Sequence, residues 1–377
     1  MRICLDYQPA VQQSAGIGRY TQVLASEVAR LLGPDDSLSL FYFDFKRKGG
    51  VPVEGARVVR SPLPGRVVNR LWRTLGFPPF DLLSGGADVF HFPNFFLPPL
   101  RGGRGVVTIH DMSFERFPEF AEAKNLRNLR AAIHATAARA DAIVTDSRFS
   151  AREIAELLPA ARGKIFPVLL GISPDFRPDS PDRVRAFREK TGIAAPYLLT
   201  VGTIEPRKNL AFLVEVFERM EHDSALSDLD LVIVGKPGWN CDGILARFRE
   251  SRRAARIHHL DRVPDRLLGA AYTGAEAFVF PSRYEGFGFP PLEAMACGAP
   301  VVSSPGGSLA EVLGAAAVMV PSFDADDWVR AVAGVRTDAP ARGRLVDAGF
   351  ARAAQFRWET TARKTLAVYR GEAVPEA

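Results

Sequence analysis

The sequence predicts an α/β protein made of two doubly wound parallel sheets. Three observations carry that reading. The chain has 377 residues, too many for one ordinary core and about right for two domains. Short apolar runs alternate along it with longer helical patterns, the order that builds a parallel sheet with helices on both faces. One stretch, LLGISPDFRPDSPDR at residues 169–183, breaks the alternation with three prolines and a glycine and suits a connection between domains.

The first series begins with the apolar run RICLD at 2–6 and continues with LSLFYF at 38–43, VFHF at 89–92, VVTI at 106–109 and AIVT at 142–145. These read as strands. Helical patterns lie between and after them at 18–32, 123–140 and 150–157. Beyond the connection, strands are predicted at 197–201, 229–234, 257–259, 277–280, 300–303 and 317–320. The matching helices fall at 209–220, 242–251, 265–274, 291–297, 308–313 and 325–334. The tail, 347–369, reads as helical. The division is therefore a first domain of residues 1–172, joined by a C-terminal helix within 355–377, and a second of 173–354. Two such sheets facing each other would hold two substrates in one crevice, because ligands bind beyond the carboxyl ends of parallel strands.

Composition agrees with a soluble globular chain, 47% hydrophobic and 24% charged. No apolar run approaches the roughly 20 residues of a membrane span. The opening MRICLDYQ has no signal-peptide pattern, and Cys4, Cys241 and Cys297 show no metal or redox spacing. A reducing cytosol is the expected setting. The net charge of +5 is modest but uneven: residues 55–80 contain five arginines and no acid. There Arg66, Arg70 and Arg73 repeat at helical spacing, with Val68, Leu71, Trp72 and Leu75 on another face. Such a helix either packs its apolar face on the domain or rests on an anionic membrane surface. Arg66, Arg70, Trp72 and Arg73 are the membrane-contact candidates. No nucleic-acid partner is expected.

Chemistry is expected at the strand-end loops. In PSRYEGFGFPPLEAMACGAP, residues 281–300, Glu285 follows a strand, and Gly286 and Gly288 allow a ligand close to the backbone around Phe287. Pro290 and Pro291 suit a helix entry, which puts Glu293 in the first turn. A carboxylate there also has a purely structural use. The pair could do glycosidase-like acid/base work or accept ligand hydroxyls while free helix amides meet phosphate. In VGTIEPRKNL, residues 201–210, Arg207 and Lys208 could grip a diphosphate without a metal. In SAGIGRYTQVL, Gly16 and Gly18 precede a helix, but Thr21 stands where a dinucleotide fingerprint needs a third glycine. His110 and Asp111 end the strand of VVTIHDMSFERFP, where the histidine could donate a hydrogen bond or move a proton. No spacing proposes a metal site.

Together, SAGIGRY, VVTIHDMSF, DSRFSAREI, GTIEPRKN, FPSRYEGFGFPPLEAMACGAPVV and SLAEV resemble, in family order, the family 4 retaining glycosyltransferases, which have the GT-B fold. The tail FRWETTARKTLAVY resembles the family's closing helices. The likeness extends in particular to bacterial mannosyltransferases of O-antigen and capsule synthesis. It implies that Arg207 and Lys208 hold the donor diphosphate and that Glu285, with the backbone of Gly286, Phe287 and Gly288, lies by the transferred sugar. Glu293 would bind the ribose, and Gly16 and Gly18 would leave room for the diphosphate. His110, with Asp111 beside it, would approach the sugar. The loop near Arg262 and Val263 would meet the base. It further implies a nucleotide-sugar donor (GDP-mannose favoured), no metal or other cofactor, and a glycan or undecaprenyl-linked acceptor. The protein would be cytoplasmic or peripheral on the inner membrane face. Thr203 stands where many relatives have arginine, which moves phosphate binding toward Arg207 and Lys208. Leu170 stands where asparagine is common. A non-catalytic sugar-nucleotide binder and a GT-B epimerase are the alternatives. Glu285→Ala is expected to lose transfer far more than folding, because its loop has little core to lose.

Overall fold

The structure, a computed structural model, describes residues 1–13, 16–47, 49–50, 52–121 and 123–374. It divides into two compact units. The first comprises Met1–Glu115, Ala123–Gly171 and Arg357–Ala377, the second Arg116–Glu122 and Ile172–Phe356.

The first unit contains β1 (Arg2–Asp6), β2 (Ser37–Phe43), β3 (Ala56–Ser61), β4 (Val89–Phe92), β5 (Arg104–Thr108), β6 (Ala142–Thr145) and β7 (Ile165–Pro167). They form one sheet in the order β3-β2-β1-β4-β5-β6-β7, with every pairing parallel. β4 and β6 are buried along their whole length, as strands covered on both faces must be. β3 and β7 were not expected. β3, ARVVRS at the sheet edge, is broken by two arginines, and β7 is only three residues long, so neither shows as an apolar run.

The Trp358–Arg370 helix belongs to this unit, where it packs on the Ile17–Leu31 helix. Its anchor is polar and buried. Tyr369 Oη lies 2.6 Å from His91 Nδ1, while His91 Nε2 meets Thr108 Oγ1 at 2.7 Å. Thr108 Oγ1 in turn meets Tyr20 Oη at 3.0 Å. Burial pushes His91 down to about 3, so the ring is neutral and needs both partners.

The second unit contains β8 (Tyr197–Val201), β9 (Asp230–Val234), β10 (Ile257–Leu260), β11 (Ala277–Phe280), β12 (Val301–Ser303) and β13 (Val318–Met319). Their order is β10-β9-β8-β11-β12-β13, again all parallel. Its core includes Phe217, Trp328, Leu198 and Val279, all fully buried.

Two sequence expectations change. The connection at 169–183 ends early, because Ser180 caps a Pro181–Thr191 helix that Gly192 closes in the left-handed conformation. The helical tail is two helices, Ala339–Ala353 and Trp358–Arg370. Phe356 between them is buried and Arg357 is extended, so the break sends one helix to each unit.

Candidate active site

In each sheet the order in which strands are added reverses at one point, between β1 and β4 and between β8 and β11. Ligands of open parallel sheets bind at such points, beyond the strand ends. In the second unit, the residues that follow β8 and β11 are those singled out by the sequence.

After β8 the chain makes a short 3-10 turn, Pro206–Lys208, and leaves it through Asn209 at φ 56°. Asparagine tolerates that left-handed conformation better than most residues. After β11 the chain runs through Ser282–Gly288 into the Phe289–Ala296 helix, with prolines in its first turn. The two loops are bonded: Arg283 N donates to the Arg207 carbonyl at 2.9 Å. The β11 loop is also supported from beneath by residues sequence reasoning missed. Ser308 donates to the Glu285 carbonyl through N at 2.9 Å and through Oγ at 3.0 Å, and Oγ reaches the Phe287 carbonyl at 3.0 Å. A side chain on Gly307, at φ 67°, would stand 2.3 Å from that same Glu285 oxygen. The signal was the PGGS run after β12.

These supports bring Glu285, Arg207 and Lys208 together. Lys208 Nζ lies 2.6 Å from Glu285 Oε1, and Arg207 Nη1 lies 2.7 Å from Oε2. Ser282 Oγ donates to Oε1 at 2.5 Å. Glu285 is only 6% exposed. Burial opposes its charge, yet the Arg207 and Lys208 cations beside it hold the carboxyl down at about 2. Arg207 also bonds Glu205 at 2.6 Å. Glu205 is buried, and its second oxygen has no hydrogen-bond partner. Two cations and two carboxylates thus cancel in one small volume. The expectation that Glu285 sits in a loop with little to lose does not survive, because it is the buried counterion of two cations.

Gly286, Phe287 and Gly288 continue the same loop. The Phe287 ring is buried against Phe289 and Phe356, which leaves only its backbone for a ligand. Glu293, also buried, accepts a hydrogen bond from Tyr272 Oη at 2.9 Å. Val263 lies buried just before the Asp265–Thr273 helix.

In the first unit His110 follows β5. Its Nδ1 lies 2.8 Å from Asp146 Oδ2 and its Nε2 lies 3.0 Å from the Pro93 carbonyl oxygen. Asp111 turns locally, its Oδ1 accepting from Ser113 N at 2.9 Å. Gly16 has φ 56° with open space where a side chain would go. Gly18 has a packing reason instead: a Cβ there would stand 2.0 Å from the Gln13 carbonyl oxygen. Ser14 and Ala15, which open SAGIGRY, lie outside the described residues. Asp6 was missed. It ends β1 at the reversal point, accepts from Gln8 N at 3.1 Å, and burial lifts its carboxyl to about 6.

The basic stretch does form a helix, Gly65–Leu75. Trp72 is corrected: it is buried, donates from Nε1 to the Pro78 carbonyl at 2.6 Å, and packs against Phe43 and Phe80. It belongs to the core, not to a membrane-facing surface. Arg73 lies over Phe96 and donates to the Asn128 carbonyl. Arg66 and Arg70 are exposed beside Leu63, Val67, Leu75 and Phe77, which are 41–72% exposed. Among the described residues no helix is long and apolar enough to cross a membrane.

Solved structures share this fold. The chain superimposes on sucrose-phosphate synthase from Thermosynechococcus elongatus with a TM-score of 0.77 at 19% identity, covering 98% of both chains. WaaG, a glycosyltransferase involved in lipopolysaccharide biosynthesis, gives a TM-score of 0.73 at 16% identity, covering 98% of this chain and all of that one. The class is thus the GT-B fold. Two family profiles match in sequence, "Glycosyl transferase 4-like domain" over residues 15–171 and "Glycosyl transferases group 1" over residues 195–338. O-antigen chain mannosyltransferase B of Escherichia coli is 35% identical over 98% of this chain and 100% of its own length. WbdA, a serotype-specific mannosyltransferase of E. coli, is 30% identical over 60% of this chain but only 28% of its own. The chain belongs to the family 4 glycosyltransferases, in the group that contains the bacterial O-antigen mannosyltransferases.

Proposed function

We propose that this glycosyltransferase moves mannose from GDP-mannose, with retention of configuration, to a hydroxyl of a growing surface glycan carried on an undecaprenyl lipid. The observation that carries the reading is the Arg207–Lys208–Glu285 cluster at the reversal point of the second sheet, in a chain alike over its full length to an O-antigen mannosyltransferase.

The cluster supplies two cations suited to a diphosphate. Arg207 and Lys208 turn from Glu285 toward the phosphates, while Glu205 keeps its bond to Arg207. The two cations then face charge that grows on the leaving phosphate, where fixed donors are most useful. They do so without a divalent metal. Glu285, released, accepts from hydroxyls of the sugar. Glu293 accepts from the ribose, with Tyr272 holding one of its oxygens. In the front-face step, the C1–O bond to phosphate breaks as the acceptor oxygen bonds C1 on the same face. The acceptor's proton passes to the leaving phosphate oxygen. Arg66 and Arg70, with the exposed apolar residues around them, rest on the anionic inner face of the membrane.

The test is a thermal-shift series with GDP, UDP, dTDP and ADP sugars, with and without chelator. A ligand of the folded state raises the midpoint by mass action. GDP-mannose should raise it equally with chelator present. A shift only with another nucleotide would replace the donor, and a shift abolished by chelator would reinstate a metal.

A further inference from the structure

His110 is held by three successive strands. β5 leads into it, β4 leads to Pro93 and β6 leads to Asp146, and these three strands are neighbours in the sheet. Both ring nitrogens are bonded, Nδ1 to Asp146 and Nε2 to the Pro93 carbonyl. Tyr20 meets the ring edge-on at 5.0 Å and Phe95 at 5.7 Å. The His110 and Asp146 side chains are 12% and 6% exposed.

These bonds decide where the hydrogens are. A carbonyl oxygen only accepts, so Nε2 must carry hydrogen for the Pro93 bond to exist. Nδ1 then either donates to an ionised Asp146, making the ring an imidazolium, or accepts from a protonated Asp146, leaving the ring neutral. Nε2–H is common to both. A bare Nε2 would set two lone pairs against each other in a buried place. The surrounding charges agree. Burial pushes the His110 ring down, but Asp146, Pro93 and Asp111 lift it above the usual imidazole range. Burial raises Asp146, against the pull of His110. Asp111 is committed to Ser113 N, Tyr20 Oη to Thr108, and buried His91 is neutral.

We propose that Asp146 is a positioning residue which, with the Pro93 carbonyl, keeps His110 as an obligate Nε2–H donor, so that His110 lends a hydrogen bond to a sugar hydroxyl and is not the base that deprotonates the acceptor. This rests on the transferase reading above. A hydroxyl oxygen takes the place of the Pro93 oxygen, and no proton leaves the ring. The acceptor's proton must then go elsewhere, which fits the leaving phosphate.

Imidazole ¹⁵N spectra of the full chain between pH 5 and 8.5 test the first half without any substrate. Nε2 of His110 should stay protonated throughout. Loss of its proton in an ordinary histidine titration, near 6.5, would overturn the proposal even if the chain were no transferase. Asp146→Asn removes the carboxylate that lifts the ring, so its titration should move down into or below the ordinary range. An unmoved titration would deny Asp146 its role. Kinetics test the second half. The amide of His110→Gln can donate from near the Nε2 position, so this variant should transfer at least roughly tenfold faster than His110→Ala. Equal losses of the roughly 10²–10⁴-fold that removing a general base brings would show that His110 is the base.

Discussion

Replacing Glu285 by glutamine keeps the shape of the loop and removes one charge from beneath two cations. The structure sets the cost by two routes. A buried carboxyl held at about 2, against an ordinary 4.5, stabilises the fold by about 3 kcal/mol at neutral pH. Breaking a buried ion pair from one side costs about 3–5 kcal/mol. Glu205 remains on Arg207, so the lower end is expected. For a unit of this size that is a fall in Tm of about 6–12 °C. The sign of the pH dependence follows from a depressed acid. Its contribution is complete above the unfolded value near 4.5 and disappears as pH falls toward 2, so variant and wild type should converge on acidification. Arg207 and Lys208, deprived of their counterion, should also greet a diphosphate more readily. GDP should therefore raise the midpoint of Glu285→Gln by more than it raises the wild type's. The assay is thermal melting with and without GDP at pH 7. A loss below about 1 kcal/mol, or a GDP shift smaller than the wild type's, would refute the counterion account.

Three further outcomes are expected. Trp72→Ala should cost about 3–5 kcal/mol, the usual range for emptying a buried tryptophan site; an unchanged denaturant midpoint would return Trp72 to the surface. Asp6→Asn should melt above wild type at pH 8, because burial disfavours the ionised carboxyl, and the difference should close as pH falls through 6 toward 4; a gap that does not depend on pH would mean Asp6 is not so perturbed. Reversing Arg66 and Arg70 to glutamate should weaken binding to vesicles of anionic lipid at low salt, measured by sedimentation, while melting stays within about 0.5 kcal/mol of wild type; unchanged binding would leave the helix an ordinary solvated one.

How much was legible beforehand depended on how each feature is written in the chain. Strands buried on both faces, such as β4 and β6, announce themselves as unbroken apolar runs, so the two-sheet architecture was readable. The edge strand β3 was not, because half its residues face water and three of its six are polar. Arg207, Lys208 and Glu285 were readable as loop residues at strand ends. That they neutralise one another was not, since Glu285 stands 77 positions from Lys208 and meets the basic pair only because β8 and β11 are neighbours. Ser308 and Asp146 were hidden for the same reason. Trp72 was misread because helical spacing separates two faces without saying which one the domain covers.

The Tyr369–His91 bond has a consequence for biosynthesis. His91 is translated early and Tyr369 late, with the whole second unit made between them. During synthesis the first sheet therefore exists for a time with a His91 whose Nδ1 has no Tyr369 to meet, and with the Ile17–Leu31 helix lacking its C-terminal neighbour. The second unit is, but for Arg116–Glu122, the single run Ile172–Phe356, and it can complete its own core once that run has emerged. The unit that starts first is thus the one that matures last, and a chain released before Trp358 would carry every residue of the second unit but lack the closing helix of the first.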